Sequence, residues 1–396
     1  MSSSLSLKPW QVWLGGMASL VLTLAMARLA YTPMLPVMQS EAGLSVAGGG
    51  WLASVNYLGY MSGALLVAYI DSPLLRHKLY RLGLWLGVLG TVGMAWSAHM
   101  GWWVLVRYVG GLSGAAGMLL GTGLILSWMT RAGKRAELGA HFMGIGIGIV
   151  ISAAAAAAFA GWGLSWQLRW WGFGLIALLC AVVAWRWCPP APPALPSHAS
   201  AVADPPQPWL WPMVLAYFCA GVGFVISATF TVVVIEAVPA LAGKGSLAWL
   251  LVGVAAIPTV YLWDKVARAL GELKALALAY AVQTLSVALP ALSDSLWAGL
   301  SGAALYGATF LGIVSMTLSF AGRRAPNNPG KAMAKLTLGY GVAQILAPVM
   351  AAYAAAVVGN YLGALWMTAA MLLVGAALLM WLHNSGRAQT RPTTAA

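Results

Sequence analysis

Three ionisable side chains stand inside otherwise apolar runs of this sequence: Arg28 in "LTLAMARLAYTPMLP", Arg107 in "WWVLVRYVGGLSGAAG" and Glu236 in "FTVVVIEAVPAL". A guanidinium held in such surroundings needs a hydrated crevice or a partner, because insertion into a bilayer centre costs about 2.5–3.5 kcal/mol per arginine. The chemistry open to these groups is anion recognition by the planar fork of an arginine, or proton carriage by a carboxylate that becomes buried. For Arg107 the alternatives are a bracket on backbone carbonyls of a neighbouring helix and direct contact with a substrate or coupling proton. Arg28 either snorkels to the outer surface or binds an anion. Glu236 is either a solvated rim residue, a partner of Arg28 when the outer mouth closes, or the carrier of a coupled proton.

Uncharged polar side chains in the same kind of run add Asn56, Tyr57, Tyr60, Thr229, Thr231, Tyr306, Tyr340 and Gln344 as candidates. Taken singly, such groups more often bond across helices than hold a ligand. No nucleophile, base and acid fall together, so the residues do not suggest an enzyme. The five histidines show no ligand pairing at three or four residues, and the three cysteines have no metal or redox spacing, so neither metal nor cofactor is expected. "GIGIGIG" follows no strand and sits within an apolar run, which excludes a dinucleotide fingerprint.

The elements that must position these groups are set by composition. Of 396 residues, 61% are hydrophobic and 7% charged, against about 25% charged in a soluble domain. Apolar segments long enough for a bilayer, about 20 helical residues, recur twelve times, near 10–31, 46–70, 79–98, 102–128, 136–160, 168–187, 209–236, 246–263, 274–291, 296–320, 333–357 and 360–383. Runs of this length predict an all-α integral membrane fold. The first is too long for a cleaved signal and reads as a retained span.

Alternate loops and helix ends divide the cations unequally. One side carries 17 Lys and Arg and the other only Arg169 and Lys244. Cationic loops stay in the cytoplasm during insertion, so both termini are expected there and the net charge of +13 is topological. Cations scattered over seven segments argue against nucleic acid as a partner. Between spans six and seven, "CPPAPPALPSHASAVADPPQP" holds eight prolines in 21 residues and reads as a semi-rigid linker. It divides residues 1–187, an N-terminal six-helix bundle, from 209–396, a C-terminal one, with the linker at 188–208.

The halves echo each other. "GLSGAA" occurs at Gly111–Ala116 and at Gly299–Ala304, "MGIGIGIVISAAAAAAFA" in span five answers "LGYGVAQILAPVMAAYAAA" in span eleven, and Trp51-Leu52 answers Trp249-Leu250. With six spans in each half the repeats run parallel, about an axis along the membrane normal. Small residues in the repeated hexapeptide let helix backbones approach closely.

Twelve spans in two sixes around a central linker resemble the major facilitator superfamily. "ARLAYTPMLPVM", "GWLASVNYLGYMSGALL", "AYFCAGVGFVISATF", "AWLLVGVAAIP" and "LTLGYGVAQILAP" narrow the resemblance to its YbfB/YjiJ-type branch, in family order over nearly the whole chain. The resemblance implies a secondary transporter of the bacterial inner membrane, with spans one, four, seven and ten lining the cavity. "RYVGGLSGAAG" resembles the fourth-helix motif, with Arg107 at its arginine. The loop signature between spans two and three is reduced to Asp71 followed by Arg76, His77 and Lys78, without the glycine after the aspartate. Asp264, Lys265 and Arg268 are its counterpart in the second half. The resemblance implies a gating role for Asp71, Arg76, Asp264 and Arg268, as an inside latch onto the starts of spans eleven and five; the alternative is an ordinary solvated pair, worth about 0–1 kcal/mol. A carboxylate at a helix C-terminus needs such compensation.

These readings converge on a transporter that rocks two bundles about a midplane site. Two arginines on the cavity helices against one peripheral carboxylate point to a small organic anion as substrate, with H+ as a candidate coupling ion. Beyond substrate and lipid bilayer no partner is expected, and the unit is read as a monomer. The rivals are efflux of apolar or cationic drugs, favoured by 21 Trp and 18 Met, and a membrane scaffold or sensor that moves nothing.

Overall fold

The structure, a computed structural model, describes residues 7–133, 138–192, 207–325 and 329–386. Among the described residues twelve helical rods follow one another: α1 Pro9–Glu41, α2 Val46–Ala68, α3 Pro73–Val92, α4 Met100–Arg131, α5 Leu138–Gly161, α6 Trp166–Arg186, α7 Leu210–Glu236, α8 (Gly245–Ala256 and Thr259–Leu270), α9 Glu272–Leu292, α10 Leu296–Arg324, α11 Pro329–Val358 and α12 Leu362–Asn384. Several starts are fixed by side-chain caps. Ser45, Ser72, Ser165 and Ser295 each accept a backbone N–H from the first turn of α2, α3, α6 and α10, an interaction worth about 1 kcal/mol.

Nine of these rods are long and apolar enough to cross a bilayer, and α8, taken as one bent span, makes ten. The other two are α2, diluted by glycine, serine, asparagine and tyrosine, and α3, whose first turns carry Arg76, His77, Lys78 and Arg81. Three helices differ from the sequence expectation by more than four residues, and the first of them is α3, which covers Pro73–Val92 rather than about 79–98. α1 runs on past Tyr31 to Glu41, through Pro33 and Pro36, because wide turns just before the prolines shift the hydrogen-bond register. α8 bends by 50° between its two segments, at Pro258, which has no N–H to return to the preceding turn. Most of the expected linker, residues 193–206, lies outside the described residues.

Small residues set the helix spacing within each half. A Cβ on Gly59 would strike the carbonyl oxygen of Tyr108, and one on Gly111 that of Asn56, so α2 and α4 touch backbone to backbone. In the second half a Cβ on Gly302 would lie 2.6 Å from Ser286 O, and Gly307 packs on the carbonyl of Val252. Both copies of the repeated hexapeptide therefore serve close approach, in α4 and in α10.

The two six-helix bundles meet along α1 with α7, α2 with α11 and α5 with α8, pairings that an exchange of the halves leaves unchanged. Near the Gly146–Gly253 crossing of α5 and α8, a Cβ on Gly146 would sit 2.8 Å from Ile257 N and one on Gly253 2.6 Å from Val150 N. Polar contacts lock the end opposite the basic loops. Thr32 Oγ1 donates to Ala228 O across α1 and α7, Trp249 Nε1 donates to Ser152 Oγ at 3.0 Å, and Trp51 Nε1 reaches Tyr353 Oη at 3.5 Å.

Candidate functional site

The site begins in α1. From Val21 to Leu29 the helix widens into π-type turns, with Ala30 N donating to Ala25 O at 2.7 Å. Such turns displace carbonyls from their usual donors, and side chains of neighbouring helices take two of them. Ala27 O accepts from Arg107 Nη1 at 3.3 Å and from Asn56 Nδ2 at 3.5 Å, while Arg28 O accepts from Arg107 Nη1 at 3.5 Å. Arg107 Nε donates to Leu52 O at 3.2 Å, and Asn56 Nδ2 donates to Arg107 O at 2.8 Å. The Arg107 guanidinium carbon lies 4.3 Å from the centre of the Tyr31 ring. Arg107 and Asn56 thus tie α1, α2 and α4 together through backbone oxygens, and Gly110, where a Cβ would lie 3.0 Å from Ala27 O, lets them do so.

The side chain of Arg28, whose own carbonyl belongs to that bracket, is held differently. It is 9% exposed, and its guanidinium carbon lies 4.1 Å from the Tyr57 ring centre and 4.6 Å from that of Tyr60. Its Nε and Nη2 are buried without a hydrogen-bond partner. A buried cation left in this state is expensive. Two aromatic faces offset part of that cost through cation–π attraction, but they leave its hydrogen-bonding capacity unused.

Arg28 lines a cavity of about 120 Å³ between the bundles, with Tyr60 on its own side, Tyr217, Phe224, Phe310 and Tyr340 on the other, and Gln344 beside them. The far wall is one aromatic cluster. Tyr217 stacks on Tyr340 at 4.3 Å between ring centres, Phe224 lies 5.9 Å from Tyr340 and 5.6 Å from Phe310, and Tyr306 stacks on Phe310 at 5.1 Å. Tyr306 Oη donates to Phe224 O at 3.2 Å, which fixes the ring between α7 and α10. Tyr57 meets Phe224 edge to face at 6.2 Å across the bundle interface.

Toward the basic loops the cavity shares Met61, Leu119, Leu318 and Thr337 with a wider one of about 570 Å³, between α2 and α4 of one bundle and α10 and α11 of the other. The opposite end is sealed by the contacts of α1 with α7 and α2 with α11. The path to Arg28 therefore opens at the basic end.

The remaining expected residues stand apart. Glu236 accepts from Gly243 N and Gly245 N, both at 2.7 Å, and so ties the end of α7 to the start of α8. Arg76 lines the wide mouth and donates through Nε to Ile70 O at 2.6 Å. Asp71 is exposed beside it. Asp264 pairs with Arg268 on the same exposed face of α8. The expected latch onto the starts of α5 and α11 falls partly on residues 134–137 and 326–328, outside the described residues. Among the described residues no group of three His, Cys, Asp or Glu could hold a metal.

Several groups that matter were not among the sequence candidates. Glu272, the first residue of α9, pairs with Arg323 and, at 2.7 Å, with Arg324 at the end of α10, a placement that charge at a helix N-terminus facing a basic helix end could have suggested. Glu41 at the end of α1 accepts from Trp166 N at 2.8 Å and faces Arg169 at 3.6 Å. Tyr217, Phe224 and Phe310 carry no distinguishing signal in the sequence, and only the cavity they line singles them out.

Two parallel six-helix bundles with a charged site at their interface, open to one end, define a secondary transporter of the major facilitator class. The family model described as "Uncharacterised MFS-type transporter YbfB" matches residues 20–380, and the chain belongs to that family. No curated protein matches it. Among solved structures the fold is similar to a mutant form of the nucleoside transporter NupG, at 13% identity and a TM-score of 0.76, over 94% of this chain and 99% of that one. It is also similar to a bacterial homologue of the human lysosomal transporter Spinster in an inward-facing, unoccupied conformation, at 16% identity and a TM-score of 0.68, over 98% and 100% of the two chains. At such identities the likeness is one of fold.

Proposed function

We propose that this transporter carries small organic anions across a bacterial inner membrane by alternating access, as a monomer, with its basic end and both termini in the cytoplasm. The observation that carries the reading is Arg28, a buried cation whose Nε and Nη2 have no partner at the cavity between the bundles. An anion is the ligand that removes the cost of leaving it so. Among the described carboxylates, none lines that cavity, so nothing built into the site competes with a substrate anion. Proton coupling belongs to the same reading, with Glu236 as its carboxylate candidate. Gating by Asp71, Arg76, Asp264 and Arg268 places the moving contacts at the basic end.

The test is flux in proteoliposomes. Wild-type protein is expected to exchange organic anions, and Arg28→Ala to lose that exchange by at least tenfold while remaining monodisperse. Equal flux from the two proteins overturns the anion reading. Loss of uphill uptake when an imposed pH gradient is collapsed would identify the proton as the coupling ion. Export of apolar compounds has one observation in its favour, the apolar lining of the wide mouth, and ligand binding without flux would instead favour a sensor.

A further inference from the structure

We propose that the substrate is an aromatic monocarboxylate, whose carboxylate docks on the guanidinium of Arg28 and whose ring lies against the aromatic wall of α7, α10 and α11. The inference rests on the anion reading and narrows it by two independent features.

The first feature is the unsatisfied guanidinium of Arg28 beside the cavity. Tyr57 and Tyr60 stand at 4.1 and 4.6 Å from the guanidinium carbon, and the unpartnered atoms are Nε and Nη2. A guanidinium in this place offers paired, parallel N–H bonds that match the two oxygens of a carboxylate. A lysine in this place would offer a point charge without that fork. Charge count favours a monoanion. Among the described residues Arg28 is the one Lys or Arg that lines the cavity, whereas a phosphate monoester brings about 1.5–2 negative charges.

The second feature is the opposite wall. Tyr217, Phe224, Phe310 and Tyr340 present ring surface to the same cavity, held in fixed mutual geometry by the 4.3 Å stack of Tyr217 on Tyr340 and the 3.2 Å bond from Tyr306 to Phe224 O. Rings immobilised in this way offer faces and edges at little further entropic cost, and an aromatic guest gains more from them than its buried area alone supplies. The cavity of about 120 Å³ is close to the roughly 150 Å³ that accepts a benzene ring in a protein core. It suits a one-ring body better than a long aliphatic one, and the wide mouth leaves room for ring substituents.

The experiment uses the purified full-length protein and calorimetric binding of four kinds of probe: benzoate and phenylacetate, their saturated counterparts cyclohexanecarboxylate and cyclohexylacetate, the amides benzamide and phenylacetamide, and phenyl phosphate. At least one aromatic acid is expected to bind about tenfold more tightly than its saturated counterpart, and at least tenfold more tightly than its amide and than phenyl phosphate. Equal affinity for aromatic and saturated acids overturns the aromatic inference and leaves the anion reading standing. Amides binding as tightly as the acids overturn both. Phenyl phosphate binding best overturns the monocarboxylate assignment, and no binding by any probe overturns the inference as stated. In variants that keep the wild-type elution profile, Arg28→Lys is expected to lose at least tenfold for the acids, and Phe224→Leu to narrow the aromatic-to-saturated ratio toward one. The wild-type comparison decides the matter even if a variant fails to fold.

Discussion

Arg28 and Arg107, 79 residues apart in the chain, differ in role, although both are buried guanidiniums beside tyrosines. Arg107 donates to three backbone oxygens of α1 and α2, so its removal strands carbonyls that π-type turns have already displaced. Arg107→Met is expected to lower stability by about 2 kcal/mol or more, since hydrogen bonds to charged groups contribute about 1.5–3 kcal/mol each. Arg28 has two buried nitrogens without a partner, so Arg28→Met removes an uncompensated charge from the empty protein. It should raise the thermal midpoint of the ligand-free form while abolishing anion binding, the trade between stability and function that such sites carry. Melting curves of the two variants in one detergent check both statements, and the same sign for both would refute the division of labour.

Among the elements, α4 decides how closely its neighbours approach. Gly111 sits against the Asn56 carbonyl, whereas a Cβ on Gly123 in the same helix would meet nothing within 4 Å. Gly111→Ala must push α2 away from α4 and is expected to cost about 1–3 kcal/mol, with loss of the Asn56 and Arg107 bonds that follow that spacing. Gly123→Ala should be neutral or slightly stabilising, since alanine favours helix over glycine by about 1 kcal/mol. Comparable losses from the two substitutions, read by thermal unfolding, would show that helix propensity rather than close approach governs this helix. At the basic end, Glu272 holds the start of α9 to Arg323 and Arg324 at the end of α10. Glu272→Gln should therefore loosen the α9–α10 end and speed amide exchange there, while leaving the opposite end unchanged.

For the whole molecule, alternating access requires the seal at one end to break when the other closes. In this conformation the seal is at the end opposite the basic loops, where Trp51 and Tyr353 join α2 to α11. Cysteines placed at these two positions, with the native cysteines replaced and a short bifunctional thiol reagent bridging them, should stop flux and leave binding from the basic end intact. Continued transport by the bridged protein would mean that α2 and α11 do not part during the cycle.

The sequence by itself determined that the chain is helical, lipid-immersed and doubled, because apolar run length, the cation bias of alternate loops and repeated small-residue motifs are local properties that no packing can reverse. It also marked Arg28 and Arg107 as the two cations needing an explanation, since burying a guanidinium is costly wherever it happens. Which of them has spare hydrogen bonds was decided only by tertiary structure. Residues 27 and 107 meet across α1 and α4 through displaced carbonyls that no spacing rule announces, and that meeting occupies Arg107. The aromatic wall was invisible for the same reason. A phenylalanine such as Phe224 is ordinary filling until a second bundle, contributed from the other half of the chain, places a cavity and a cation opposite its ring.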